Sequence, residues 1–252
     1  YSLVSEKLEG FEALARWKHP ILGDVPPIKF IPLAEEIGLI DVLGEHILRK
    51  SCSQMRGLRD CMPDSSLLAL SVNLSCKQFA NPNLVTKIKR ILEDTQFPPN
   101  KLKLEITESV FFEHQKNAVE MLNQLRDFGI EINIDDFGTG YSNLNYLMQL
   151  PISTLKIDRS FISPIKPNGN NAEIVRTIVM LARNMGMKVT AEGVETKAQH
   201  EELKKLNCEG AQGFLFAEPM PFEEVLFFLN EKGITNIPES RFEDVSIVST
   251  IQ

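Results

Sequence analysis

Apolar positions along the chain keep two alternating rhythms. Short runs with an apolar residue at every second position, the mark of a half-buried strand, are separated by longer stretches with apolar residues every three to four positions, the mark of an amphipathic helix. The first rhythm predicts strands at 11–17, 67–73, 102–107, 130–135, 154–158, 187–192 and 210–214, with a stub at 3–5. The second predicts helices at 30–38, 42–62, 77–93, 115–128, 143–149, 171–185, 197–206 and 222–231. Strand-then-helix repeated along one chain calls for parallel strands joined by crossovers, so the fold class is α/β and the expected architecture a TIM-like (β/α)8 barrel. The Pro/Gly/Asn-rich segment 163–171 reads as a surface loop and 234–252 as a tail, which leaves one barrel over 1–233.

Length agrees with that picture, since 252 residues suit one barrel of roughly 200–250 residues better than two ordinary domains. A hydrophobic fraction of 43% with 24% charged residues excludes a disordered, collagen-like or coiled-coil chain. The net charge of −7 argues against duplex nucleic acid as a partner, because such binding needs Lys and Arg to displace phosphate counterions. A small phosphate ligand held through metal ions stays open. No apolar run approaches the roughly 18 residues of a membrane span, and Tyr1-Ser2-Leu3-Val4 is no export signal, so a soluble, cytoplasmic chain is expected. Cys52, Cys61, Cys76 and Cys208 have no metal-knuckle spacing and read as reduced thiols. His19, His46, His114 and His200 form neither HExxH nor a His-Asp doublet, so any metal must rely on oxygen ligands.

Splitting each strand into its two faces sharpens the chemistry. Glu12, Leu14 and Arg16 share one face, as do Ser71 and Asn73; Lys103, Glu105 and Thr107; Glu131, Asn133 and Asp135; Lys156 and Asp158; and Thr190 and Glu192. A barrel's outward face packs under its helices and must be apolar, so these polar faces point inward, with Asn73, Glu105, Asp135, Lys156 and Glu192 near the carboxyl ends where barrel enzymes work. Glu12, Glu105, Asp135, Asp136 and Glu192 oppose only Lys156 and Arg16. Carboxylates so crowded require added cations, and oxygen ligands with the Asn73 carboxamide suit Mg²⁺ or Mn²⁺. The adjacent Asp135 and Asp136 suit two ions about 3.5 to 4 Å apart, the arrangement for in-line attack on a phosphodiester. A barrel core merely salt-bridged by Lys156 and Arg16 would leave excess carboxylate unneutralised. Gly138-Thr139-Gly140 lacks the remaining glycine of a dinucleotide loop, and Asp136-Phe137-Gly138 lacks the other kinase motifs, so both read as a sharp turn over the site.

The series Phe11-Glu12-Ala13-Leu14-Ala15-Arg16-Trp17, Ser71-Val72-Asn73-Leu74-Ser75, Leu104-Glu105-Ile106-Thr107-Glu108-Ser109, Asp135-Asp136-Phe137-Gly138-Thr139-Gly140-Tyr141-Ser142, Leu155-Lys156-Ile157-Asp158, Ala191-Glu192-Gly193-Val194-Glu195-Thr196 and Gln212-Gly213-Phe214-Leu215-Phe216 resembles, in order, the motifs of the EAL domain family over 3–232. That resemblance implies a TIM-like barrel with an antiparallel first strand, here truncated, and hydrolysis of cyclic di-GMP to linear pGpG. It implies that Glu12, Asn73, Glu105 and Asp135 are metal ligands and that Asp136 serves a second ion; Mg²⁺ or Mn²⁺ is the expected cofactor, and Ca²⁺, larger and less demanding of octahedral geometry, is expected to be inhibitory. Glu192 would be the general base and Lys156 would orient the attacking water. Glu195 and Gln212 would complete the site, Glu108 would anchor the loop after Asp136, and Leu14, Arg16, Pro219 and Met220 would touch phosphate or guanine. The chain begins after the family's usual first helix and Gln-Pro step, so it reads as part of a longer sensor, free or membrane-anchored, with regulatory domains; a homodimer is compatible. A receptor that binds cyclic di-GMP without turnover is the competing reading, set against the completeness of the metal and water-activating set.

Overall fold

A computed structural model describes residues 1–61, 68–108, 115–139, 147–165 and 169–234. Seven strands, β1 (Gly10–Ala13), β4 (Ala69–Asn73), β5 (Leu102–Thr107), β6 (Glu131–Phe137), β7 (Thr154–Ile157), β8 (Lys188–Ala191) and β9 (Gly210–Ala211), form one sheet in that spatial order. Every pairing within it is parallel. β2 (Trp17–His19) and β3 (Gly23–Val25) form a separate antiparallel hairpin. The helices are α1 (Pro27–Glu36), α2 (Ile40–Cys61), α3 (Leu84–Thr95), α4 (Gln115–Asp127), α5 (Arg159–Ile162), α6 (Asn170–Asn184), α7 (Lys197–Lys205) and α8 (Phe222–Glu231). None of the described helices is long and apolar enough to cross a membrane.

The period-two pattern explains the layering. Leu102, Leu104, Ile106, Ile132, Ile134, Leu155, Ile157 and Val189 are at most 1% exposed and form one continuous core with Ile88 and Ile91 of α3, Leu122 and Leu125 of α4, Val175 and Val179 of α6, and Leu203 of α7. Each such side chain contributes about 1.5–3 kcal/mol by leaving water. The alternate positions are thereby committed to the sheet's other face, which carries the polar residues.

The expected antiparallel first strand is not a member of this sheet. β1 runs parallel to β4, Gly10 opposite Ala69 through Ala13 opposite Val72, because the connection between them is a long crossover through α1 and α2. The N-terminal stub makes only an isolated antiparallel bridge, Ser2 to Gly210, flanked by Leu3 N–H to Glu209 O at 2.8 Å. The sheet is curled, and its edges β1 and β9 approach closely enough for Gln212 Nε2, just beyond β9, to donate to Glu12 Oε2 at 2.6 Å.

Other differences have local causes. The strand expected over 11–17 stops at Ala13, and Trp17 belongs to the hairpin, whose turn is held by His19 Nδ1 accepting from the N–H groups of Ile21 and Leu22. The helix expected over 77–93 is a 3₁₀ turn, Cys76–Ala80, followed by α3; between them Asn81 is held extended at ψ 111° by the proline after it. The helix expected at 143–149, the loop at 163–171 and the tail at 234–252 lie wholly or partly outside the described residues.

Candidate active site at the strand carboxyl ends

The carboxyl ends of the strands converge on one cation. Lys156 Nζ, on β7, lies 2.7 Å from Glu105 Oε2, 2.7 Å from Glu192 Oε1, 3.1 Å from Asp135 Oδ1 and 3.6 Å from Glu12 Oε2. Side-chain exposure rises outward, from 2% at Glu105 and 3% at Lys156 to 10% at Glu12, 13% at Asp135 and 17% at Glu192. The cluster therefore has a sealed floor and an open top. Glu12 is held from both sides, Oε1 accepting from Asn73 Nδ2 at 2.8 Å and Oε2 from Gln212 Nε2.

Asp135 and Asp136 are neighbours, and in a regular strand they would face opposite ways. A register shift between Ile134 and Phe137 breaks the alternation, and Asp136 adopts φ 53°. A carboxylate oxygen of each then lies within 4.8 Å of the other and of Glu192. The next turn is tight: Gly138 has φ 96°, a Cβ there would meet the Phe161 ring at 2.7 Å, and its N–H donates to Glu108 Oε1 at 2.9 Å. Residues 140–146 of that loop lie outside the described residues.

One lysine cannot hold this much carboxylate ionised. Burial pushes Glu105 up to about 7, with Lys156 opposing and Glu12 and Asp135 adding to the rise. Burial likewise pushes Glu192 up to about 8 against the pull of Lys156. Asp136 is raised by burial and then by Asp135 and Asp158. Burial alone would lower Lys156, but Glu105, Glu12, Glu192 and Asp135 together raise it well above its ordinary value. The shortfall of positive charge and the all-oxygen donors fit divalent cations, with Asp135, Asp136 and Glu192 near the open side.

These shifts carry a stability consequence. Glu105 and Glu192 bind protons more tightly folded than at their ordinary value of 4.5, so the stability they contribute is complete below about 4.5 and is lost as pH rises through about 7 to 8. In chelator the thermal midpoint is expected to fall across that window, and excess Mg²⁺ to flatten the fall. A midpoint in chelator that does not decline with pH would contradict the crowded-carboxylate account.

The fold thus brings together Glu12, Asn73, Glu105, Asp135, Asp136, Lys156, Glu192 and Gln212, with Glu108 at the adjoining turn. The other expected residues lie apart from this network of contacts. Leu14 and Arg16 are exposed beyond β1, and the Arg16 guanidinium donates to Ala15 O. Glu195 and Pro219 are exposed, while Met220 is partly buried against the core. Sequence reasoning passed over Gln199, although the spacing Thr196-Lys197-Ala198-Gln199 is that of a capping box and the structure forms one there.

Comparison with known proteins bears on the family and the fold. The EAL domain family model matches residues 1–219. The chain is 46% identical over 217 residues to the bifunctional diguanylate cyclase/cyclic di-GMP phosphodiesterase MucR of Pseudomonas aeruginosa, covering 86% of this chain and 31% of MucR. It is 38% identical over 240 residues to the cyclic di-GMP phosphodiesterase NbdA of the same organism, covering 95% of this chain and 30% of NbdA. Among solved structures, the PaMucR phosphodiesterase in complex with c-di-GMP matches at a TM-score of 0.80 and 45% identity, covering 87% of this chain and 88% of that one. The EAL enzyme Bd1971, in its cAMP and cyclic-di-GMP bound form, matches at 0.86 and 33%, covering 90% and 62%. The chain spans about a third of the length of MucR and NbdA. By the family model over residues 1–219 and by its likeness to these relatives in sequence and fold, the chain belongs to the EAL domain family.

Proposed function

We propose that this domain hydrolyses one phosphodiester bond of cyclic di-GMP to give linear pGpG. The observation that carries the reading is the meeting of Asp135, Asp136 and Glu192 carboxylate oxygens within 4.8 Å of one another beside a buried lysine too weak in charge to neutralise them. Glu12, Asn73, Glu105 and Asp135 would hold one Mg²⁺ or Mn²⁺ ion and Asp136 a second, and such ions supply positive charge to the phosphate and acidify the attacking water. Glu192 would take the proton of that water as its oxygen joins phosphorus and the bond to the 3′ oxygen breaks; the departing 3′ oxygen would take up a proton from solvent to become a hydroxyl, leaving the 5′ phosphate of pGpG. Lys156 Nζ donates to Glu105 Oε2 and lies 2.7 Å from Glu192 Oε1, so it would orient the water through Glu192. Gln212 and Asn73 fix Glu12, and Glu108 holds the turn after Asp136 through Gly138. Leu14, Arg16, Glu195, Pro219 and Met220 would contact the nucleotide, Arg16 supplying positive charge toward phosphate. The greater length of the relatives supports further sensory or regulatory domains around a cytoplasmic catalytic unit, membrane-anchored or free, that acts alone or as a homodimer.

The test is incubation of the purified chain with cyclic di-GMP and Mg²⁺ or Mn²⁺, with chromatography for pGpG. Excess chelator is expected to abolish product, and Ca²⁺, larger and less demanding of octahedral geometry, to occupy the site without turnover. Full activity in chelator would sink the two-metal reading. Tight binding of cyclic di-GMP with no pGpG at saturating Mg²⁺ or Mn²⁺ would make the domain a receptor.

A further inference from the structure

Glu192 lies one residue beyond β8, so its carboxylate is only as fixed as the loop that carries it. The near end of that loop is held by backbone bonds at 3.0 Å: Glu192 N–H to Ile157 O, Val194 N–H to Gln212 O, and Leu215 N–H to Val194 O. The far end rests on Gln199, in the first turn of α7 and 6% exposed. Its Oε1 accepts from the N–H groups of Glu195 and Thr196, both at 2.8 Å. Its Nε2 donates across to Ile162 O at 3.2 Å and Ser163 O at 3.4 Å, the carbonyls where α5 ends. The other end of α5 presses on the same loop, because Gly193 has φ +67° and a Cβ there would lie 2.6 Å from Arg159 Cβ. α5 is capped by Asp158, two residues after Lys156. The loop bearing Glu192 is therefore clamped to the short helix that follows the Lys156 strand.

We propose that Gln199 is a positioning residue: by tying the Glu192 loop to α5 it fixes the Lys156 and Glu192 pair and, through it, the cation-holding cluster. Its kinetic consequence rests on the hydrolase reading; its consequence for metal affinity does not. Capping alone asks less of this residue, since the third position of a capping box accepts Glu as well as Gln. Gln199→Glu keeps the acceptor for Glu195 and Thr196 but sets a carboxylate oxygen against the carbonyls of Ile162 and Ser163. A role confined to starting α7 leaves the site unchanged whatever the change does to stability. A positioning role weakens the site as well.

The experiment compares wild-type and Gln199→Glu chains by thermal midpoint, by calorimetric titration with Mn²⁺, and by kcat and KM for cyclic di-GMP. We expect a chain that still folds but with a lowered midpoint, because a buried carboxylate now faces two carbonyls; well below that midpoint, Mn²⁺ affinity and kcat are each weakened by about 10- to 100-fold, as when a metal ligand loses its supporting hydrogen bond, with a nearly unchanged KM. A folded Gln199→Glu chain with wild-type Mn²⁺ affinity and kcat overturns the proposal. If that variant does not fold, Gln199→Met, which fills similar volume without either polar end, is measured by the same readouts. Unfolding of both would show that Gln199 holds the fold rather than the site, and would equally overturn it. A wild-type chain that binds Mn²⁺ but yields no pGpG would fail the hydrolase reading alone, and the Mn²⁺ affinities would still decide the role of Gln199.

Discussion

Glu192→Gln is expected to lose roughly two to four orders of magnitude in kcat, the range for a positioned general base, while still binding cyclic di-GMP. The substitution keeps the side chain's shape and an oxygen that can accept from Lys156, but removes both charge and basicity. Glu192 is suited to proton transfer by its place: it is the most exposed of the four carboxylates around Lys156, and burial has already pushed it up to about 8. Bound metal must be quantified in the same preparations, because a carboxylate this close to Asp135 and Asp136 also helps to hold cations. A kcat within tenfold of wild type at equal metal content would remove Glu192 from the base role.

Lys156→Met should instead appear as a folding defect. Removing one partner from a buried ionic cluster typically costs about 3–5 kcal/mol, because the remaining charges stay buried without compensation. Here Glu105, at 2% side-chain exposure, would be left beside Glu12 and Asp135 with no cation among them. Urea unfolding in chelator should show a midpoint lowered accordingly. Mg²⁺ or Mn²⁺ should restore part of the loss, and so should mild acid, which protonates the crowded carboxylates. Wild-type stability of the variant in chelator at neutral pH would mean that Lys156 does not hold the cluster together.

Most of the sheet could be read from the chain because its chemistry is binary: isoleucine and leucine at alternate positions under the helices, polar residues between them. Strand β5 falls where the alternation places it, 102–107, and carries Glu105 inward as expected. The same rule fails at Asp136, since alternation sends neighbouring side chains to opposite faces and only a break in register brings both aspartates to one site. The hairpin of β2 and β3 has strands too short for a periodicity to register. Pro82 was the available warning against a continuous helix over 77–93. The parallel setting of β1 depends on the crossover through α1 and α2, which no single-strand pattern encodes. Gln199 escaped notice because its importance lies in contacts with residues 37 and 36 positions away, Ile162 and Ser163.

The left-handed backbone at Asp136 bears on how such a domain changes over generations. A non-glycine residue in that conformation carries a cost of about 1–2 kcal/mol, eased for Asp and Asn and absent for Gly. Asp136 adds to this its repulsion with Asp135. Codons for Gly and for Asn each lie one nucleotide from those for Asp. Replacement at this position thus relieves strain or charge while deleting a carboxylate proposed to hold a second ion, so folding selection alone would not preserve it. Under the proposed hydrolytic role only selection for turnover opposes the drift, and a lineage released from that demand would meet no local backbone penalty for losing this carboxylate.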